Sequence, residues 1–110
     1  MVKNRGVYRF DDEDLKKAVR MLAPFNSGGV RFVAQSRDFG YELGVSVSEG
    51  RGPEERRHAV TFHCGYGDED AERKTKMIEA FNTTDEFLVW MIGGAVVKLM
   101  RWLSETYNAP

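Results

Sequence analysis

The 110-residue chain is predicted to fold as an α+β domain, with helices packed on one face of an antiparallel sheet. Two observations predict this class. Three segments alternate apolar and polar residues, as strands with one buried face do. Three other segments either space their apolar residues at helical intervals or are apolar throughout. We therefore expect a single domain over residues 1–110 with the order (β)-α-β-β-β-α-α and a meander of three to four strands.

The first predicted helix has a clear beginning and end. Gly6–Phe10 favours a short strand ahead of it, and Asp11 is placed to cap it, with Phe10 and Leu15 at the two staple positions. The acidic residues that follow Asp11 suit the positive end of the helix dipole. Pro24 predicts that the helix ends just before it.

The three predicted strands follow the first helix. Arg37–Gly40 has the composition of a hairpin turn and Glu49–Glu55 that of a polar loop, so consecutive strands are expected to pair in antiparallel fashion. The buried stripes are predicted to be Val30-Phe32-Ala34, Tyr41-Leu43-Val45-Val47 and Val60-Phe62-Cys64.

Two further helices are predicted in the last third of the chain. Asp68 can cap a helix over Glu69–Phe81, and Thr83 with Glu86 has the spacing of a capping box ahead of a helix from about Thr84 to Tyr107. Within the last helix, residues 87–97 are apolar on every side. A helix that is apolar all round is normally buried all round.

This last helix indicates self-association. A sheet of three or four strands accommodates roughly two helices on one face, and three are predicted. Gly93-Gly94 also costs roughly 1 kcal/mol per residue relative to alanine. Either another helix approaches closely there, including the same helix of a twofold-related copy, or the helix bends over its own sheet. We expect a homo-oligomer whose contact involves Trp90, Met91, Gly93, Gly94 and Val97.

Composition limits the classes of function. The 16 Lys and Arg residues nearly cancel the 17 Asp and Glu residues, which argues against a duplex-binding protein with a basic excess. A single cysteine, Cys64, excludes an intramolecular disulfide. The apolar stretch Phe87–Val97 is shorter than the roughly 20 residues that span a bilayer, and no secretory signal is visible. We expect a cytoplasmic protein without a membrane segment.

No catalytic, metal-binding or cofactor-binding residue is assigned. Strand alternation places His63 and Cys64 on opposite faces, and His58 is expected to lie about 20 Å from Cys64. The glycines around Tyr66 resemble a phosphate loop, but the acidic residues that follow would repel phosphate. An enzyme site built across a dimer around His63 and Tyr66 remains the least supported class.

The best-supported function is a small non-catalytic protein-binding module, acting as an inhibitor, an adaptor or a subunit of an assembly. Its partner surface is predicted on the open, polar sheet face or on the Arg51–Arg57 loop, and the candidate residues are Arg31, Gln35, Glu42, Arg56, Arg57 and His63. The alternative is a nucleic-acid- or nucleotide-binding protein. In that case dimerisation would assemble a basic surface from Arg31, Arg37, Arg56 and Arg57.

Overall fold

A computed structural model describes residues 9–63 and 70–107 and shows the predicted α+β architecture. The elements are α1 (Asp12–Leu22), β1 (Val30–Arg37), β2 (Glu42–Glu49), β3 (Arg56–His63), α2 (Ala71–Ala80) and α3 (Thr84–Tyr107). Their order confirms the prediction. The predicted first strand falls mostly on residues 6–8, outside the described part of the chain, and Phe10 precedes α1 without joining the sheet.

The three strands form an antiparallel sheet with β2 in the centre. The register places Leu43 opposite Phe62 and Val45 opposite Val60, so the apolar stripes of adjacent strands coincide. β3 begins at Arg56 rather than at Ala59, where the apolar alternation starts. The reason is that Glu49 and Arg56 form a strand pair joined by an ion pair, which extends the ladder into the predicted loop.

Helix α1 begins as predicted. The Asp14 backbone N–H donates to Asp11 Oδ1 at 2.8 Å, and the Asp11 N–H donates to Asp14 Oδ2 at 3.2 Å. This reciprocal capping box satisfies backbone donors that the first helical turn leaves free. Phe10, at the staple position, is buried. The helix ends at Leu22 and continues as one turn of 3₁₀ helix through Pro24.

The start of α3 also follows from local sequence. The Glu86 backbone N–H donates to Thr83 Oγ1 at 3.1 Å, as the capping-box spacing predicts. In a full capping box the Glu86 carboxylate would accept the N–H of Thr83. Here it accepts the N–H of the preceding residue, Asn82, at 3.1 Å. The predicted cap of α2, Asp68, lies outside the described residues.

One hydrophobic core lies between the sheet and the helices. α1 packs over β1 and alongside α3, while α3 packs over β2 and β3. The largest fully buried side chains of the core are Phe87, Leu22, Leu43, Leu88, Leu99 and Val47. Lys17 on α1 donates to Asp85 Oδ1 on α3 at 2.6 Å, and this hydrogen bond raises the pKa of the lysine. The lysine therefore stays charged at neutral pH, and its contribution to this ion pair is lost as pH rises through the lysine pKa.

Candidate interaction surfaces

Helix α3 has an inner side and an outer side. Its inner side faces the sheet and α1 and carries the buried residues Phe87, Leu88, Ile92, Ala95, Val96 and Leu99. Residues 87–97 are therefore not buried on every side within the monomer. Of the three helices in the described residues, α1 and α3 lie along the sheet, and neither α1 nor α2 covers the outer side of α3.

We define the outer face of α3 as the solvent-exposed side that carries Glu86, Val89, Trp90, Gly93, Gly94, Val97, Met100 and Arg101. Its four large apolar side chains are more than half exposed: Val89 60%, Trp90 54%, Val97 57% and Met100 52%. Trp90, Gly93, Val97 and Met100 follow one another at spacings of three, four and three residues. This is the spacing of a seam that packs against a second helix.

The two glycines lie in the middle of the outer face. A Cβ atom built on Gly93 or on Gly94 meets no atom within 4 Å beyond the local helix, so alanine would fit both positions in the monomer. α3 is one continuous helix from Thr84 to Tyr107, and both glycines are exposed. Gly94 borders a groove between α3 and the sheet, but no sheet atom lies within 4 Å of its Cβ position. Close approach to the chain's own sheet therefore does not explain them.

Trp90 is held in place by other aromatic rings. Its ring centroid lies 5.8 Å from that of Phe81 and 6.1 Å from that of Phe87. Phe87 is fully buried, so the exposed indole rests on the core. A large aromatic side chain that is fixed on one side and open on the other is typical of the anchor residues of protein interfaces.

Met91 lies beside the outer face rather than on it. It is partly buried and lines an apolar groove of about 270 Å³ between α3 and the sheet. The groove is lined by Leu43, Val45, Val60, Thr61, Phe62, Trp90, Met91, Gly94, Ala95 and Lys98. Trp90 and Gly94 thus belong to both the groove and the outer face, and the two form one continuous apolar surface.

The charges of the outer face are separated along the helix. Glu86 lies at its N-terminal end and Arg101 in its second half, and Lys98 lies beside the face at the groove; all three are exposed. Within the described part of the chain, neither Lys98 nor Arg101 forms an ion pair. The acidic end and the basic end of this face are therefore available to an outside partner.

The open face of the sheet, on the side away from the helices, carries four rows of side chains. The register gives the rows Arg31–Ser48–Arg57, Val33–Ser46–Ala59, Gln35–Gly44–Thr61 and Arg37–Glu42–His63. The central strand contributes mainly small residues, which form the floor of a shallow cavity of about 190 Å³. Five of the six predicted partner-binding residues lie on this face: Arg31, Gln35, Glu42, Arg57 and His63.

Arg56, the sixth of these residues, lies on the helix side of the sheet. Its guanidinium group pairs with Glu49 and lies 5.9 Å from the ring centroid of Trp102. His58 stacks on the same indole with ring centroids 5.0 Å apart. Strand alternation separates Arg56 from Arg57, so the two arginines do not share a surface.

The remaining chemical candidates do not form a site in the described residues. His63 Nε2 lies 2.8 Å from Asp38 Oδ2, a contact that joins the end of β3 to the turn between β1 and β2. Among the described residues, no group of three histidine, cysteine, aspartate or glutamate side chains is arranged to hold a metal ion. Cys64 and Tyr66, named in the sequence analysis, lie outside the described part of the chain.

By length and composition, the segment Asp85–Glu105 of α3 is also apolar enough to cross a membrane. In the fold, 33% of this apolar stretch is buried against the rest of the chain. Its apolar character therefore comes from two surfaces, the buried inner side and the exposed outer face.

Comparison of the chain with protein-family models, with curated proteins and with solved structures gives no match. Any assignment of function therefore has to come from the surfaces themselves.

Proposed function

We propose that this protein is a small non-catalytic protein-binding module that self-associates through the outer face of α3. The observation that carries the proposal is the exposure of Val89, Trp90, Val97 and Met100 on one side of a single helix. Exposed apolar patches of this kind usually mark interaction sites. Self-association would bury the face of α3 that neither the sheet nor α1 covers.

The free energy available from this surface is substantial. Full burial of a large apolar side chain is worth about 1.5–3 kcal/mol. Covering the exposed halves of the four large apolar side chains of the outer face therefore contributes several kcal/mol in each copy. In a twofold dimer the same surface is buried twice, because both partners use it. A monomer would leave this contribution unused.

A membrane-spanning role is less well supported than self-association. The inner side of α3 already packs against β2, β3 and α1, and a helix inserted in lipid would lose these contacts. Glu86, Lys98 and Arg101 also lie on the exposed side, where charged groups are costly within a bilayer. A cytoplasmic location is proposed as well, and the single cysteine, which cannot form an intramolecular disulfide, suits it.

The open sheet face is the proposed surface for another protein. It is flat and mixed in character, with Val33 and Ala59 between arginine-containing rows. Such a surface suits an inhibitor, an adaptor or an assembly subunit more than a small-molecule site, because ligand pockets are usually deeper and more apolar.

Nucleic-acid binding is the second candidate. Its support is the row in which Arg31 and Arg57 flank Ser48 within one chain. Against it, the four rows of this face contain no phenylalanine, tyrosine or tryptophan, whereas sheet surfaces that bind single strands stack bases on such rings.

The first experiment is light-scattering mass across a dilution series for the wild type and for Val97→Glu. We expect the wild type at twice the 12.5 kDa chain mass and the variant at the chain mass. The variant should stay monomeric because a dimer of Val97→Glu would bury two unpaired carboxylates. Val97 is 57% exposed in the monomer, so the substitution is not expected to disturb the fold.

Val19→Glu is the matched control. Val19 is a valine on the exposed side of α1 with 51% exposure, and its replacement should leave the dimer intact. A wild-type monomer at all concentrations would overturn the proposed self-association. Partition of the wild type into lipid vesicles, lost in Val97→Glu, would instead assign the outer face to a membrane surface.

A further inference from the structure

Six of the eight residues of the outer face of α3 form pairs that are symmetric in sequence about the point between Gly93 and Gly94. Outward from this point come the glycines themselves, then Trp90 and Val97, and then Glu86 and Arg101. The spacings along the helix are therefore four, three, one, three and four residues, the same in both directions. In these three pairs the two residues are both glycine, both apolar or of opposite charge. The other two residues of the outer face, Val89 and Met100, lie outside this set, because their counterparts are Lys98 and the buried Phe87.

We propose that two copies pair through α3 in an antiparallel register, with a twofold axis passing between Gly93 and Gly94. This inference rests on the proposed self-association and specifies its geometry. The register places Trp90 of one copy level with Val97 of the other, and Glu86 level with Arg101. Each of these contacts occurs twice, as an isologous interface requires.

The glycines fit the centre of this arrangement. Packed helices usually lie 8–10 Å apart, and closer approach requires small residues where the helices meet. In this register the two Gly93-Gly94 pairs meet at the axis. The absence of neighbouring atoms around both positions in the monomer is then accounted for, since the space is filled by the second helix.

The charges select the antiparallel orientation. In a parallel pair, each residue would lie level with the same residue of the other copy. Glu86 would then face Glu86 and Arg101 would face Arg101, which is repulsive at both ends. In the antiparallel pair both ends carry opposite charges. Arg101 forms no ion pair with the described residues of its own chain, so its guanidinium group is available to Glu86 of the second copy.

The test is charge reversal at the two ends, read as the dimer dissociation constant by sedimentation at low salt. We expect Arg101→Glu and Glu86→Arg each to raise the dissociation constant about tenfold, because two attractive pairs become repulsive. The double variant Glu86→Arg/Arg101→Glu should recover most of the wild-type affinity. A parallel dimer would give the same affinity for all four proteins, since every end stays repulsive.

Two further variants keep the outcome interpretable. Glu86 also accepts the Asn82 N–H, so Glu86→Gln retains an acceptor for this cap while removing the charge, and should weaken the dimer less than Glu86→Arg. Glu72→Arg, on the exposed side of α2, is the control for net charge and should leave the affinity unchanged.

The results separate the two proposals. A wild-type protein that remains monomeric overturns the proposed self-association itself. A second outcome is a stable wild-type dimer that Val97→Glu dissociates, in which the double reversal binds no more tightly than the single reversals. This outcome overturns the antiparallel register alone. Restoration by the double variant supports both.

Discussion

At the scale of single residues, the turn between β1 and β2 shows how one position depends on a distant contact. Asp38, Phe39 and Gly40 all have positive φ, at 52°, 55° and 93°. The Phe10 backbone N–H donates to the Gly40 carbonyl at 2.6 Å, and Arg9 Nε donates to the Phe39 carbonyl at 2.6 Å. The turn is thus attached to the segment that leads into α1.

We predict that Gly40→Ala lowers the free energy of unfolding by about 2–3 kcal/mol, from backbone strain and a steric clash. A Cβ atom at position 40 would lie 2.7 Å from the Phe10 carbonyl oxygen. The measurement is urea denaturation in the Val97→Glu background, where association does not contribute. Gly28→Ala is the control, because Gly28 also has positive φ but no atom within 4 Å of its Cβ position. Equal losses for the two variants would mean that the turn yields to the added methyl.

Trp102 is another residue whose surroundings come from a different element. Its indole stacks with His58 and lies under the Arg56 guanidinium, both on β3. The C-terminal half of α3 is therefore fixed to the first residues of β3. Arg56 contributes to this packing and not to the open sheet face.

At the scale of elements, the two opposite sides of α3 have different surroundings. Its inner side supplies Phe87, Leu88 and Leu99 to the core, each fully buried. Its outer face remains apolar without a partner inside the monomer. From sequence, residues 87–97 have the composition of a core helix, because within this stretch no polar residue distinguishes one side from the other.

The glycines of α3 give the element-scale prediction. In the monomeric Val97→Glu background, Gly93→Ala and Gly94→Ala should each raise the free energy of unfolding by about 0.5–1 kcal/mol, because alanine has the higher helix propensity. In the otherwise wild-type chain, each should raise the dimer dissociation constant about tenfold, since added methyl groups separate the two helices. Thermal unfolding measures the change in stability, and sedimentation measures the change in the dimer dissociation constant. Stabilisation without any loss of dimer affinity would show that the glycines do not lie in the contact.

At the scale of the whole molecule, the proposed dimer sets the direction of the open sheet faces. In each copy the sheet lies on the inner side of α3, roughly opposite the outer face. Pairing through the outer faces therefore stacks sheet, helices, helices and sheet in that order. The two open sheet faces then point away from each other, and the dimer offers two separate copies of the same partner surface.

This geometry separates the arginines of the two copies instead of combining them. We therefore predict that fluorescence anisotropy with labelled single-stranded and duplex oligonucleotides at low salt detects no binding by the dimer. Salt-dependent binding that is lost in Arg31→Glu/Arg57→Glu, but retained in Val97→Glu, would contradict this and place a nucleic-acid site on one sheet face.

Most of the fold could be predicted from local patterns. The strand alternation of Leu43, Val45 and Val47 gave the buried face, and the capping residues Asp11 and Thr83 gave the helix starts. The start of β3 could not be predicted in this way, since Arg56 and Arg57 lie in a polar stretch without alternation. Their place in the sheet follows from pairing with β2, which is a long-range interaction.

The proposed contact surface was predicted only in part. Trp90, Gly93, Gly94 and Val97 lie on the outer face, whereas Met91 lines the groove beside it. Val89 and Met100 are exposed on the outer face and were not predicted. The three- and four-residue spacing that links Trp90, Gly93, Val97 and Met100 is the sequence signal from which Met100 could have been identified.

By itself, the sequence determined the class of the fold, the order of its elements and the surplus of apolar surface in the last helix. These properties depend on periodicity, capping and composition, which act over a few neighbouring residues. Only the tertiary structure decided which side of α3 remains uncovered, which arginines share the open face and where the glycines point. Those properties depend on how a helix is rotated about its axis and how strands pair, and both are fixed by packing between residues far apart in the chain.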